Sequence, residues 1–531
     1  MYTLHNIPIK TREVGDTVER FLLMELQVLS FPTLFSFLLF MFMVVKILKR
    51  FKSRHSLSLP PGPWKLPIFG NMHNFASGSP PHRALKELSK KHGPLMLLRL
   101  GEVSTVVVSS AEYAKEVMKT HDAIFASRPS VLSAEILSYD CTNIGFSPLG
   151  DYWRQLRKIC VLELLSPKRV ESYRPLREEE LSNFIKWVAS KAGSPVNLSS
   201  KVFSLVYGIT SRAAFGKKSQ DQEQFIQIVK EVIEFASGFN IADFFPSIKL
   251  LHVISGVRPK LEKMHKDADR IMEKIITEHK ARTAAKAEEA ATEEDLLDVL
   301  LKFHEHRDSE FSLTNNNIKA VILDIFSAGS ETSAITVVWA MAEMMKNPEV
   351  MKKAQAEVRE VFDRKGRVDE TAINEMKYLK LLVKETLRSH PPSALLLPRE
   401  SRERCEINGY EIPAKTKVIV NAWAIARDPK YWTEPESFIP ERFLFDTTHD
   451  FKGTNFEYLP FGAGRRVCPG YTFALVIVEY TIALLLYHFD WTLPNGMKHQ
   501  DLDMTDIAGA TVGRKEDLVL IPTVHDNPLP V

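Results

Sequence analysis

The segment PFGAGRRVCPG, residues 460–470, gathers the residue types from which a reactive thiolate can be built. Cys468 is followed by Pro469, a favoured first residue of a helix, and then by an apolar run over 473–486. A cysteine at a helix start meets the positive end of the helix dipole, which favours thiolate over thiol. Arg465 and Arg466 add positive charge, and Gly462 and Gly464 permit backbone conformations through which a flat group can approach closely. Such a thiolate is a metal ligand or a nucleophile. Read alone, the same cysteine also fits a buried structural role in a Gly-rich turn. The other cysteines are Cys141, Cys160 and Cys405; with no CxxC pair, they argue against a zinc site or a disulfide framework and fit a reducing compartment.

Three further constellations have spacings that carry chemistry. KETLR, 384–388, places Glu385 and Arg388 at i,i+3 on one helix face, although a lone pair of this kind is more often a surface ion pair worth little. AGSETS, 328–333, puts Ala328 and Gly329 in the middle of a helical apolar pattern that runs over 318–345 without proline. A glycine there costs stability, so a reason is needed. Thr332 in that stretch can bond back to a carbonyl one turn earlier, as helix threonines often do. In DYWRQLRK, Trp153 and Arg157 stand at i,i+4.

Phe461, Gly464, Arg466, Cys468 and Gly470 match every fixed position of F-x-x-G-x-R-x-C-x-G. The chain thereby resembles the cytochrome P-450 family; these motifs, with the PERF segment at 440–443, occur in the family's order, and the resemblance covers the chain from about residue 26 to the end. The resemblance implies haem b with Cys468 as the axial thiolate, which pushes electron density to iron and favours O–O cleavage. It implies Trp153, Arg157, Arg399 (in LPRE) and Arg466 around the haem propionates. Three arginines on two buried carboxylates make physical sense, because unpaired buried charge is costly. It makes Glu385 and Arg388, joined by Arg442 of the PERF segment at 440–443, a structural lock behind the haem. Phe461, Gly464 and Gly470 shape the cofactor loop, while Glu331 and Thr332 handle protons on the helix that crosses the haem face. O2 is then the co-substrate, and electrons come from NADPH through NADPH–cytochrome P-450 reductase.

The elements that position these residues read as a mainly α fold with small β-sheets, a cytochrome P-450 fold around a buried haem. A length of 531 residues would allow several domains, but a large cofactor can organise one helical unit. Residues 95–100 and 104–109 read as a hairpin about Gly101-Glu102. The Ala/Glu-rich stretch 281–295 reads as a solvated helix end or loop. With 45% hydrophobic and 25% charged residues the composition is ordinary for a globular protein, and a net charge of +3 is too small to suggest nucleic-acid binding.

Residues 26–45 carry no formal charge over 20 positions, just long enough for a membrane-spanning helix. No cleavage site follows; Lys46, Lys49, Arg50, Lys52 and Arg54 do, which favours an uncleaved anchor over a signal peptide. The positive-inside rule then places everything after it in the cytosol, on the endoplasmic reticulum membrane, so the Asn197 sequon should stay unglycosylated. The expected organisation is a lumenal extension at 1–25, with Met24 as a candidate natural start, and an anchor at 26–48. A basic and Pro-rich hinge at 49–71 and a catalytic domain at 72–531 follow. PPGPWKLPIFGN, 60–71, is either a stiff turn or an ordinary linker.

The chain looks most like plant microsomal enzymes, the subfamily of premnaspirodiene oxygenase and related terpene hydroxylases, which also contains tabersonine hydroxylases. The resemblance places substrate contacts at 127–146, 235–245, 321–332, 393–397 and 508–512. In the last three regions Ile325, Ala328, Ala394, Leu395, Leu396, Leu397, Ala510 and Val512 are apolar, and no basic residue is present to hold a carboxylate. That favours a small, neutral, hydrocarbon-like substrate, although each of these residues also reads as plain core. The expected activity is hydroxylation or epoxidation of a sesquiterpene or diterpene by a catalytic unit that acts as a monomer. The alternatives are an indole-alkaloid or flavonoid hydroxylase, a reductase-independent haem-thiolate isomerase or dehydratase, and a non-catalytic haem protein. Glu331 and Thr332 argue against the last two. Arg154 and Lys158, one step round the helix from Trp153 and Arg157, either dock an acidic electron donor or form a solvated face.

Overall fold

The computed structural model describes residues 34–38, 40–42, 44, 58–76, 78–216, 222–235, 241–285, 294–305, 312–444 and 449–525. Two compact units divide at residue 58. In the first, residues 34–38 and 40–42 are helical, and Leu34, Phe35, Phe37, Leu38, Phe40, Met41 and Phe42 are all exposed. The remainder of the expected anchor, the extension at 1–25 and the basic residues 46–54 lie outside the described residues.

The second unit begins at Leu59, earlier than the domain start expected at residue 72, because backbone hydrogen bonds tie the Pro-rich segment to the first strand. Leu97 N donates to Pro61 O (2.8 Å), and Asn71 joins the two ends of the segment by bonding to Pro63 O, Trp64 O and Arg99 N. Residues 60–71 are therefore a fixed part of this unit. Helix α1 (Pro81–His92) leads into strands β1 (Leu95–Leu100) and β2 (Val103–Val108). These pair antiparallel about Gly101 (φ +57°) and Glu102, so the second strand starts one residue before the pattern suggests. A side chain at Gly101 would also meet Phe244 O at 2.4 Å.

Helices α2 (Leu132–Leu137), α3 (Asp151–Ile159), α4 (Leu198–Phe215), α5 (Gln222–Phe235), α6 (Val257–Ala285), α7 (Asn315–Lys346) and α8 (Lys377–Ser389) follow. Strands β3 (Arg399–Glu400) and β4 (Lys417–Val420) complete a four-stranded sheet in the order β1-β2-β4-β3, with β4 parallel to β2. Helix α9 (Tyr471–His488) comes after the cysteine loop, and the short hairpin β5 (Asp506–Ala508) and β6 (Val512–Arg514) lies near the C-terminus.

The apolar stretch expected at 318–345 becomes α7, begun by a capping box between Thr314 and Asn317. Helices α7 and α9 are long and apolar enough to cross a membrane, yet 67% of each apolar window is buried within the protein. A helix apolar all round needs partners on every side, and α7 finds them in α4, α8, α9 and β6. On it Trp339 is 1% exposed, stacks on His390 at 3.9 Å and donates its indole N–H to Val512 O. The Ala/Glu-rich stretch ends α6 at Ala285; residues 286–293 lie outside the described residues, and Asp295 is buried against His279 and Arg282.

Candidate active site

In the middle of α7 four hydroxyls within ten residues donate to carbonyls one turn earlier. Ser327 bonds to Leu323 O (2.6 Å), Thr332 to Ala328 O (2.7 Å), Ser333 to Gly329 O (2.9 Å) and Thr336 to Thr332 O (2.9 Å). Each uses its proton on the helix itself and leaves its lone pairs to accept. All four residues line one cavity of about 350 Å³.

The cysteine loop lines the same cavity. Phe461, Gly462, Arg466, Cys468 and Gly470 line the cavity, and Cys468 N donates to Phe461 O at 3.0 Å. Gly464 does not line it. Its φ of +69° and the 2.2 Å that would separate a Cβ from Met118 O make it the point where the loop packs on the chain behind. Helix α9 starts at Tyr471 with Gly470 as its cap, so Pro469 precedes the helix rather than opening it, and Cys468 stands further from the dipole than expected. The thiol follows suit. Burial pushes it above its ordinary value, and the Gly470 amide and the Arg157 guanidinium act against burial without overcoming it. A thiolate here needs a cation bound at sulfur, and a metal supplies that.

Beside the sulfur lies a cluster of arginines. Arg466 reaches three carbonyls, Ala126 O (2.8 Å), Ile144 O (3.2 Å) and Ser147 O (2.5 Å), with its guanidinium 4.2 Å over the Trp153 ring. Trp153 donates its indole N–H to Ile144 O, and Arg157 lines the cavity one turn further along α3. Arg399 bonds to Asp122 (2.9 Å) and to Ala463 O (2.8 Å). Arg128, which the sequence analysis did not single out, bonds to Gly145 O, Leu397 O and Pro398 O. Burial, followed by repulsion from Arg399 and Arg157, pushes Arg466 down to about 9. Arg128 falls well below its ordinary value through burial and the nearness of Arg466 and Arg399. Against these four guanidinium groups stand Asp122, already shared between Arg399 and Arg465, and Asp324, which burial pushes up to about 6. The cluster carries surplus positive charge in a desolvated wall, the setting that suits a group with two carboxylates next to a metal held by sulfur. The residues present thus fit a haem.

Behind this wall Arg388 makes a two-pronged bond to Glu385 at 2.8 Å for each prong, and Arg442 donates to both carboxylate oxygens at 3.1 Å. Glu385 and Arg388 are fully buried. None of the three lines the cavity.

On the substrate side Ile325, Ala328, Leu396, Leu397 and Ala510 line the cavity. Ala394, Leu395 and Val512 do not. Ala394 and Val512 pack with Trp423 and Ala424, and Leu395 packs with Phe244 and Phe245 against the sheet. The reason is local: Leu396 takes φ +50°, a turn after which Leu396 and Leu397 line the cavity along with Pro392 and Ser393, while Ala394 and Leu395 do not. Glu331 also points elsewhere. Its carboxylate accepts from Tyr207 of α4 (3.1 Å) and is hydrogen-bonded with Thr511, while burial raises its pKa. Thr511 lines the cavity, so the acid meets the site through that hydroxyl. Asp324 and Thr511 fall within the expected contact stretches 321–332 and 508–512 but were not singled out there. A charged residue within an apolar helix pattern was the available signal for Asp324; nothing local marks Arg128 or Thr511. Arg154 and Lys158 share the exposed face of α3, where Arg154 pairs with Asp151.

Comparison with known proteins agrees with this geometry. The chain matches the Cytochrome P450 family over residues 60–520. It is 53% identical to premnaspirodiene oxygenase of Hyoscyamus muticus over 94% of this chain and 99% of that one. It is also 53% identical to tabersonine 6,7-epoxidase isoform 1 of Catharanthus roseus, over 93% and 97% respectively. The fold matches a zebra fish cytochrome P450 solved with abiraterone, with a TM-score of 0.71 and 24% identity over 84% of this chain and 100% of that one. Such membership implies haem-thiolate iron, O2 and electrons from a reductase, and the chain belongs to the plant cytochrome P450 monooxygenases, in the subfamily that includes premnaspirodiene oxygenase.

Proposed function

We propose that this monooxygenase hydroxylates or epoxidises a neutral terpenoid, with Cys468 as the thiolate ligand of haem iron. The observation that carries the reading is the shared cavity: one wall holds the Cys468 sulfur and the arginine cluster, the other is built from Ile325, Ala328, Leu396, Leu397 and Ala510. Haem b, when bound, supplies oxygen activation with electrons that NADPH provides through its reductase. Arg157, Arg399 and Arg466 hold its propionates, and Trp153 fixes Arg466 from one face. Thr332, whose own proton is committed to Ala328 O, offers a lone pair to a proton donor in the cavity. Glu331 serves as the acid reservoir, linked to the cavity by Thr511. The apolar wall orients the hydrocarbon by shape and excludes water. The 26–45 segment anchors the enzyme in the endoplasmic reticulum membrane with the catalytic unit on the cytosolic side, and Arg154 and Lys158 face the reductase.

A second reading, an alkaloid substrate, draws on Asp324, the acidic residue among those lining the cavity. A carboxylate there would welcome a protonated amine. The terpenoid reading stays first because Asp324 is already engaged by the backbone amides of Gly145 (2.8 Å) and Ile144 and by Asn143.

The test is conversion by microsomes carrying the protein, a plant reductase and NADPH, offered sesquiterpenes, diterpenes, indole alkaloids and flavonoids. Cys468→Ala serves as the control. A terpene product with one added oxygen, absent from the control, is the expected result. Turnover of the alkaloid or flavonoid alone would overturn the substrate class, and an oxygen-free rearrangement without NADPH would overturn the chemistry.

A further inference from the structure

Tyr139, Asp140 and Cys141 have φ values of +51°, +59° and +57°. Residues other than glycine visit this left-handed region singly, and asparagine or aspartate most often. Three in succession, two of them tyrosine and cysteine, form a left-handed turn that persists only when its surroundings over-determine it. The backbone supplies part of the restraint: Asp140 N donates to Glu135 O (2.9 Å) and Thr142 N to Ser138 O (3.0 Å). Side chains add to it: Thr142 Oγ1 donates to Ser138 O (3.2 Å) and Tyr152 Oη to Thr142 O (2.7 Å), and Tyr139 ties the turn to a distant helix. Tyr139 Oη donates to Asp269 Oδ1 of α6 at 2.6 Å, and its ring meets His265 edge-on at 4.6 Å. The same Asp269 oxygen accepts from Lys319 Nζ of α7 at 2.6 Å, and Lys319 also pairs with Glu273 at 2.8 Å. The Lys319 side chain is only 6% exposed while Asp269 and Glu273 are 38% and 52% exposed, so this is a joint between two long helices at the edge of solvent.

What the turn feeds into gives it consequence. Three residues after Cys141 come Ile144, Gly145 and Phe146, which line the cavity. Their far end is fixed on α7 as well, where Asp324 accepts from Gly145 N at 2.8 Å. The cavity wall is thus a strap of about eight residues, 139–146, held at one end by Asp269 of α6, itself paired with Lys319 of α7, and at the other by Asp324 of α7, with the left-handed turn at the first end.

We propose that Tyr139 is a positioning residue: held by Asp269 and Lys319, it keeps the left-handed turn wound and thereby sets where Ile144 and Phe146 stand against the substrate. This rests on the cavity being the substrate site, but on no particular substrate. Without the tyrosine hydroxyl the turn relaxes toward ordinary backbone, the strap loosens, and ligands enter and leave faster. A tyrosine that merely tethers the surface would leave the strap where it is.

The experiment uses the full-length, haem-loaded enzyme in nanodiscs and compares wild type with Tyr139→Phe, Asp269→Asn and Tyr139→Phe/Asp140→Gly. Two readouts are taken: amide hydrogen exchange across 132–146, and stopped-flow binding of 4-phenylimidazole followed by haem absorbance. Tyr139→Phe should speed exchange over 138–146 and raise both azole association and dissociation about fivefold, with exchange elsewhere unchanged. Asp269→Asn should do the same in weaker form. Glycine at 140, which removes strain from the turn, should return the double variant toward wild type. Unchanged exchange and azole kinetics in both single variants, with only a lower melting temperature, would overturn the proposal; so would failure of the glycine to restore either readout. Neither readout depends on whether the natural substrate is a terpenoid, so a wrong substrate class and a wrong strap give different results.

Discussion

Two groups of arginine are built into this unit, and they differ in whether they reach the cavity. Arg388 and Arg442 share Glu385, and their remaining N–H groups go to backbone carbonyls, so the hydrogen bonding of this group is complete within the chain. Arg128, Arg157, Arg399 and Arg466 crowd together with two acids, one already committed to a fifth arginine and one pushed toward neutrality by burial. The first group is closed and its work is to hold the chain. The second is open, and the surplus charge is what a dianionic cofactor would neutralise. Conformational integrity and ligand binding have been given to separate clusters of the same residue type, and access to the cavity tells them apart: Arg128, Arg157, Arg399 and Arg466 line it, and Arg388 and Arg442 do not.

Replacing one partner in each group should separate these roles. Glu385→Ala leaves two buried arginines without their acid and should cost about 3–5 kcal/mol, enough to abolish folded protein or lower its chemical-denaturation midpoint sharply. Arg466→Leu removes a charge that repels its neighbours but leaves three carbonyls without their donor, so it should cost about 1–3 kcal/mol, less than Glu385→Ala, while haem is lost several-fold faster on challenge with apomyoglobin. Equal stability losses in the two variants would erase the distinction. On the exposed side of α3, Arg154→Glu with Lys158→Glu should slow reduction by the reductase about 3–10-fold at low salt, with the gap closing at high salt, as expected for solvated charges. Unchanged reduction at low salt would assign these two to a plain solvated face.

The smallest effect concerns Asp324. Its folded pKa is raised to about 6 by burial, so its contribution favours the fold at low pH and is lost as pH rises from about 4 through 6. Asp324→Asn should therefore flatten the stability profile in that window, changing the melting temperature by about 1–3 °C relative to wild type between the two ends. A variant profile parallel to wild type would show that Asp324 does not titrate there.

The sequence shows most where spacing alone carries the structure. The apolar period over 318–345 requires a buried helix, and Glu385 and Arg388 can meet on one helix face without help from the rest of the fold. The residues of the cysteine loop are contiguous, so their company is legible, although the helix begins two residues later than proline chemistry suggests and burial defeats the dipole at the thiol. Pocket lining is harder to read because it depends on single backbone angles. Leu396 at φ +50° faces Leu396 and Leu397 into the cavity and leaves Ala394 and Leu395 in the core. Arg128 was invisible because its partners Leu397 and Pro398 stand 269 and 270 residues away. Glu331 looked like a cavity residue from its place beside Thr332, but one step along a helix is a large rotation, and it faces Tyr207.

The most direct test of the central claim is the absorption spectrum of the reduced, CO-bound protein for wild type, Cys468→His and Cys468→Ala. The account predicts the red-shifted band of thiolate-bound haem in wild type alone, an imidazole-type band in Cys468→His, and loss of stable haem in Cys468→Ala. A thiolate-type band that survives both substitutions would contradict it.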